Sequence, residues 1–300
     1  MNISKSIYTV VLFLLLIPLS VQSQDNVHRT PGQNTGKAFE VLQQQIDALQ
    51  QQVAELQAKL AAVSINYDGD MVISGVNVFI QDGQGSTYCG PPFSVHDCNG
   101  KGNLIVGYNE YDGEDIRTGS HNVVLGALHT YTSYSGIVAG RNNEISNVGT
   151  SVISGQDNVA SGLYASVCAG RNNVASGRYA SVSGGDDNVA SGVRSSVSGG
   201  NGNIASGDRS SVSGGRENTT SGENASVSGG LANTASGLNS SVSGGVLNES
   251  SGENSSVGGG NINNAQGVNS TVSGGYNRYT CNTWPDCNED WAAGSLYEDY

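Results

Sequence analysis

A fifteen-residue repeat fills the second half of the chain and constrains its fold more than any other feature of the sequence. Valine returns to the same place in nine successive units: Val152, Val167, Val182, Val197, Val212, Val227, Val242, Val257 and Val272. Glycine follows three residues after each of these valines, and a Ser-Gly pair follows nine and ten residues after most of them. A fixed period of this kind is typical of a solenoid, in which each repeat forms one turn stacked on the next.

Asparagine recurs with the same period and marks a second position of each turn. The asparagines are Asn143, Asn158, Asn173, Asn188, Asn203, Asn218, Asn233, Asn248 and Asn263. We expect them to form a ladder of side-chain amides from turn to turn, while the valines face a narrow core and the flanking serines face outward. The predicted fold class is therefore all-β: a parallel β-solenoid with 15-residue turns over residues 121–275, preceded by an N-terminal α-helical coiled coil.

The N-terminus has the pattern of a secretory signal peptide over residues 1–23. Lys5 precedes an apolar run from Val10 to Leu19, and Ser23 supplies a small residue at the expected cleavage site. The run is shorter than the roughly twenty residues that span a bilayer. We expect a protein that is secreted or displayed on the cell surface, with a polar linker over residues 24–36.

A heptad pattern over residues 37–63 predicts a coiled-coil stalk. Its apolar seam alternates steps of three and four residues: Leu42, Ile46, Leu49, Val53, Leu56 and Leu60. A single helix with one apolar stripe is marginal in water, so the stripe predicts that the chain associates with copies of itself. Alternating β-branched residues and leucine in this seam favour a parallel dimer.

Two irregular segments flank the solenoid, and each contains a pair of cysteines. Residues 64–120 are predicted to form a β-rich neck, and residues 276–300 a C-terminal cap. In an exported chain these cysteines are disulfide candidates: Cys89 with Cys98 in the neck, and Cys281 with Cys287 in the cap. The cap also holds a candidate contact tip, made of Trp284, Trp291 and Tyr297. Cys168 has no predicted partner, and its role is left open.

Composition excludes several functions. The formal net charge is −13 and no lysine follows Lys101, which argues against a nucleic-acid partner because phosphate binding needs a basic surface. Only 13% of the residues are charged. The four histidines are scattered, without a matched nucleophile or carboxylate, so we expect no catalytic, cofactor or metal site and no enzyme activity.

The SVSGG and NVASG turns behind a heptad stalk and a signal peptide resemble the heads of trimeric autotransporter adhesins of the YadA-like type. This resemblance covers residues 121–275. It implies a left-handed β-roll in a homotrimer, displayed outside a bacterial cell and binding an unidentified surface, matrix or glycan ligand. The chain departs from the adhesins in its period of fifteen rather than fourteen residues, and in the glycine that replaces their inward isoleucine.

Two alternatives remain at this point. One is an ice-binding solenoid, since the Ser-Val-Ser segments would form two outward ranks of hydroxyls on a flat face, although ice-binding faces favour threonine and its methyl group. The other is a carbohydrate-active enzyme on a β-helix. That reading is weakened because the turns are short and no cluster of charged loops accompanies them.

Overall fold

The computed structural model describes residues 31–89, 97–280 and 291–292, with side chains from residue 36 onward except in the final pair. The predicted signal peptide, Cys281, Cys287, Trp284 and Tyr297 lie outside these residues, and only the backbone of Trp291 is described. The chain divides into two compact units, Met1–Val78 and Phe79–Tyr300.

The first unit contains one helix and a small antiparallel sheet. Helix α1 spans Pro31–Lys59, and strands β1 (Val63–Ile65) and β2 (Met71–Ile73) pair antiparallel. The helix starts inside the stretch expected to be a linker, because proline fits the first helical turn, where its missing N–H is not needed. The seam residues are all exposed, from 46% for Ile46 to 57% for Leu60.

The second unit is a parallel β-solenoid of about eleven turns, which confirms the predicted solenoid class. Thirteen strands form its first sheet: β3 (Leu104–Val106), β4 (Val123–Ala127), β6 (Ile137–Arg141), β8 (Ser151–Val152), β10 (Ser166–Val167), β12 (Ser181–Val182), β14 (Ser196–Val197), β16 (Ser211–Val212), β18 (Ser226–Val227), β20 (Ser241–Val242), β22 (Ser256–Val257), β24 (Thr271–Val272) and β25 (Trp291–Ala292).

Ten shorter strands form the second sheet. They are β5 (Thr130–Tyr131), β7 (Glu144–Ile145), β9 (Val159–Ala160), β11 (Val174–Ala175), β13 (Val189–Ala190), β15 (Ile204–Ala205), β17 (Thr219–Thr220), β19 (Thr234–Ala235), β21 (Glu249–Ser250) and β23 (Asn264–Ala265). Every strand pairs in parallel with its equivalent in the next turn, so that Val167 lies beside Val182. Paired residues of neighbouring turns are fourteen residues apart at Val124 and Val138, and fifteen residues apart in the regular turns.

The core between the two sheets is only two small side chains thick. The recurring valines contribute from the first sheet and are at most 1% exposed, while alanines such as Ala175 and Ala190 contribute from the second. Glycine completes the packing where the chain bends after the second sheet: a Cβ on Gly192 would overlap the carbonyl oxygen of Gly207 in the next turn. This narrow core explains how a chain with few large apolar residues forms an ordered domain.

The asparagines satisfy the backbone at the opposite bend. The backbone N–H of Asn188 donates to Oδ1 of Asn173 at 3.0 Å, and Nδ2 of Asn188 donates to the carbonyls of Gly184 and Gly200 at 3.0 and 2.9 Å. The same bonds recur in neighbouring turns, and the asparagines are at most 1% exposed. Because buried polar groups are costly when unpaired, this ladder fixes the register of one turn on the next.

Candidate functional site

The outward side of the first sheet carries two straight ranks of small polar residues, which we call the serine face. The first rank comprises Ser151, Ser166, Ser181, Ser196, Ser211, Ser226, Ser241, Ser256 and Thr271; the second comprises Ile153, Cys168, Ser183, Ser198, Ser213, Ser228, Ser243, Gly258 and Ser273. Each rank lies beside the buried valine column, one residue before it and one residue after it. The Ser-Val-Ser segments thus place their hydroxyls as the sequence predicts.

Four hydroxyls in the middle of the second rank are available to a ligand. Ser183, Ser198, Ser213 and Ser228 are exposed, and their Oγ atoms hydrogen-bond to no other described residue. The first rank is partly buried, and Ser256 bonds Thr271 across the turn at 3.0 Å. A hydroxyl both donates and accepts, so the face offers both functions in every turn.

The serine face carries no charge. Between Ile137 and Gly275, a fully described stretch, the charged residues lie in the bends between the sheets, apart from Arg141 at the end of β6 and Glu144 and Glu249 on the second sheet. The residues at the bends are Asp157, Arg171, Arg178, Asp186, Asp187, Arg194, Asp208, Arg209, Arg216, Glu217, Glu223 and Glu253. A ligand that disfavours charge therefore meets a neutral strip along the rod.

Ion pairs along the bends link successive turns. Arg171 and Asp186 make two N···O contacts of 2.9 Å, and Arg209 meets Glu223 at 2.7 Å. The hydrogen bond from Arg171 lowers the pKa of Asp186, and the same bond raises the pKa of Arg171. These groups are exposed, so they contribute little to stability.

The geometry of the serine face is that of a regular lattice. Neighbouring turns repeat at the parallel-strand spacing of about 4.8 Å, and the two ranks are separated by two residues along a strand, or about 6.7 Å. The repeated ladder and core leave these positions little freedom. An array of this kind is suited to recognising a periodic surface.

A second flat surface lies on the outward side of the second sheet, and the sequence analysis missed it. We call it the valine–serine face: one rank is Val159, Val174, Val189, Ile204, Thr219 and Thr234, and the other is Ser161, Ser176, Ser191, Ser206, Ser221 and Ser236. The first rank varies in residue type, so the strict period did not reveal it. The signal that was available is the apolar-Ala-Ser alternation seven to nine residues after each core valine.

The cysteines of the neck are joined. Cys89 and Cys98 form a disulfide with their Cα atoms 4.6 Å apart, as predicted from their spacing. Cys168 is unpaired and exposed, and it occupies one position of the second serine rank. Its thiol faces outward beside the buried Val167, so it is a variant of the serine at that position.

A small cavity is formed largely by residues that precede Cys89 in the chain. It has a volume of about 400 Å³ and is lined by Phe79–Gly83, Gly85–Thr87 and His121. Asp82 and His121 approach each other within 3.7 Å there. Among the described residues no group of three or more His, Cys, Asp or Glu side chains has the arrangement of a metal site, and no helix is long and apolar enough to cross a membrane.

Part of the solenoid is similar to a known family of proteins. Residues 132–229 match a family model described as grass antifreeze beta roll, which covers 98 of the 300 residues. No curated protein matches the chain. The match overturns the resemblance to trimeric autotransporter adhesin heads and the adhesive function derived from it. That resemblance was wrong because the valines and glycines on which it rested form the narrow core and the close contacts between turns, and these residues do not specify a ligand.

Proposed function

We propose that this protein binds ice, and that the serine face is its contact surface. The observation that carries the proposal is the neutral, regular double rank of hydroxyls, within a solenoid whose central turns match an antifreeze β-roll model. We also propose that the solenoid is a roll of the grass antifreeze type. The proposal gives the chain no catalytic step.

The chemistry of the face fits an ice surface. Ice presents uncharged oxygen atoms at fixed intervals, each of which donates and accepts hydrogen bonds, as a serine hydroxyl does. The parallel-strand repeat of about 4.8 Å lies close to the repeat of hexagonal ice along its a axis. Charged side chains hold their own hydration water and would compete with ice, and the two ranks of the serine face contain none.

Rigidity strengthens such a weak contact. Each hydroxyl contributes little on its own, because it exchanges a bond to liquid water for a bond to ordered water. Side chains that are already in place lose little entropy on binding. The ladder and the core hold nine consecutive turns in one arrangement, so many small contributions add along the rod.

The test is thermal hysteresis, measured together with incorporation of the labelled protein into slowly grown ice. The wild-type chain is expected to depress the freezing point below the melting point and to enter the ice. Ser198→Lys with Ser213→Lys places two charges on neighbouring turns of the serine face, and we expect this pair of substitutions to reduce both signals.

The matched control places the same charge at the bend. Val193 and Leu238 are 37% and 40% exposed and lie off both faces, so Val193→Lys with Leu238→Lys is expected to leave both signals unchanged. A wild-type protein that shows no hysteresis and is excluded from ice would refute the proposal.

We further propose that helix α1 forms a coiled coil with a second copy of the chain. The support is the exposed heptad seam, whose members are half-exposed in the single chain, flanked by glutamines that create no charge conflict between identical helices. Two linked solenoids would gain affinity for ice through effective concentration. Light scattering is expected to show a dimer for the wild-type protein. The variant with Leu49→Glu and Leu56→Glu is expected to be a monomer and to inhibit ice recrystallisation less strongly.

We propose that the chain acts outside the cytoplasm, where extracellular ice grows. The signal-peptide pattern of the first 23 residues and the Cys89–Cys98 disulfide support this placement. Mass spectrometry of the exported protein is expected to find an N-terminus at or near Gln24. An intact N-terminus on a protein retained in the cytoplasm would contradict it.

A further inference from the structure

The valine–serine face has properties that the serine face lacks. Its first rank carries methyl groups in six consecutive turns, from Val159 to Thr234, and Ile204 is 39% exposed. Its second rank is serine throughout, and the Oγ atoms of Ser176, Ser191 and Ser221 hydrogen-bond to no other described residue. A rank of methyl groups and a rank of serine hydroxyls therefore run side by side along this strip.

Glutamates bound this strip at both ends. Glu144 and Glu249 occupy the methyl rank one turn before Val159 and one turn after Thr234. Between them no outward residue of the second sheet is charged. The neutral strip is thus six turns long, and the family-model match over residues 132–229 includes five of its six methyl-rank residues.

The two faces point away from each other. The inward residues of both sheets, such as Val182 and Ala190, belong to one buried cluster, so their outward neighbours Ser183 and Ser191 lie on opposite sides of the core. The bends, many of which carry charged residues such as Arg171 and Arg194, separate the two strips. A crystal held on one face leaves the other face free.

We propose that the valine–serine face is a second ice-contact surface, which acts independently of the serine face. This inference rests on the proposed function. Methyl groups order neighbouring water without offering it competing hydrogen bonds, and the adjacent serine rank anchors that ordered layer. One molecule can then contact two ice crystals, or two growth surfaces of one crystal, at the same time.

Three variants test the inference through incorporation into slowly grown ice. The first carries Ser198→Lys and Ser213→Lys on the serine face, the second Ser176→Lys and Ser191→Lys on the valine–serine face, and the third all four substitutions. Each single-face variant is expected to enter ice less than the wild type but clearly more than the third variant. The third is expected to match an inert protein of similar size.

Thermal unfolding of each variant checks that a loss is not due to misfolding, since all four serines are exposed and bear no structural hydrogen bond. If the serine-face pair alone lowers incorporation to the inert level, or the valine–serine pair has no effect, the second surface is refuted while ice binding stands. If the wild type itself is excluded from ice, the proposed function fails.

Discussion

Nδ1 of His129 accepts a hydrogen bond from the backbone N–H of Asn143 at 3.2 Å. In the next turn, Oδ1 of Asn143 accepts the equivalent hydrogen bond from the backbone N–H of Asn158 at 2.8 Å. Nε2 of His129 lies 3.2 Å from the carbonyl of Leu125, and Nδ2 of Asn143 donates in the same way to Ala139 at 2.8 Å. A neutral imidazole with its proton on Nε2 therefore forms the first rung of the asparagine ladder. Burial lowers the pKa of His129.

This rung predicts a pH-dependent stability. Since the pKa of His129 in the folded protein lies below the unfolded value of about 6.5, the unfolded chain binds a proton first as the pH falls. The contribution of the neutral imidazole to the free energy of unfolding is complete above about pH 6.5, and it is lost progressively as the pH falls below that value. Chemical unfolding between about pH 8 and pH 5.5 measures this slope.

The control is His129→Asn, which keeps an acceptor and a donor on the rung but does not titrate. Its free energy of unfolding is expected to fall less with acidity than that of the wild type, and the difference isolates this one group from other ionisations. Equal slopes in the two proteins would show that the imidazole is not held neutral.

The buried and exposed asparagines differ in what they support, and one substitution separates them. Asn188→Asp removes the Nδ2 donor to two carbonyls and places a carboxylate oxygen against them, so we expect a loss of at least about 3 kcal/mol in the free energy of unfolding. Asn239 also bonds its neighbours fifteen residues away, at 3.0 and 2.9 Å, but it is exposed. Asn239→Asp is expected to change stability by about 0.5 kcal/mol or less.

Denaturant titrations of the two variants at neutral pH give the comparison directly. The structural role of the ladder would be contradicted if Asn188→Asp and Asn239→Asp proved equally stable. The comparison holds the chemical change constant, and it sets a buried amide bonded to backbone carbonyls against an exposed amide bonded to other side chains.

The period of the sequence predicts most of the fold because a solenoid repeats its local contacts. A valine in phase for nine turns requires a straight column, and parallel pairing of each strand with the next follows from that column. The alternating Ser-Val-Ser segment likewise predicts which side chains face outward. These inferences depend on spacing alone, and the structure has the same spacing.

Features outside strict periodicity could not be predicted in the same way. The outward rank from Val159 to Thr234 changes residue type, so only its place in the second sheet reveals it. His129 is a different residue type from the ladder asparagines. Its donor and acceptor are seen to be equivalent to theirs only in the three-dimensional structure. The adhesin resemblance failed because the residues of the repeated turns reflect the packing of a narrow core. Proteins with different ligands can share such a core.

Buried serines in the last bend of the turn predict a stabilising substitution. The Oγ atoms of Ser195, Ser210 and Ser240 are buried without a hydrogen-bond partner. Alanine fills the same place in other turns, at Ala165, Ala180 and Ala225, each at most 1% exposed. Ser195→Ala is therefore expected to raise the free energy of unfolding by about 1 kcal/mol.

Ser255 provides the contrasting case for that substitution. Its Oγ atom donates to the carbonyl of Gly252 at 2.7 Å and lies 2.7 Å from Oγ of Ser250. Ser255→Ala leaves the hydroxyl of Ser250 without that partner, so a loss of about 1–2 kcal/mol is expected. Thermal unfolding of both variants would contradict the argument if Ser195→Ala were the less stable of the two.

Two glycines of neighbouring bends predict opposite responses to an added methyl group. Gly192 is buried, and a Cβ there would overlap the backbone carbonyl of Gly207, which cannot move without separating the turns. Around Gly199 no atom lies within 4 Å of the added Cβ, and Ala169 occupies the equivalent place two turns earlier. Gly192→Ala is expected to lose at least about 3 kcal/mol, whereas Gly199→Ala gains about 0.5 kcal/mol by restricting the unfolded chain. Denaturant unfolding measures both, and a well-tolerated alanine at position 192 would mean that the turns stack less closely than the glycine column implies.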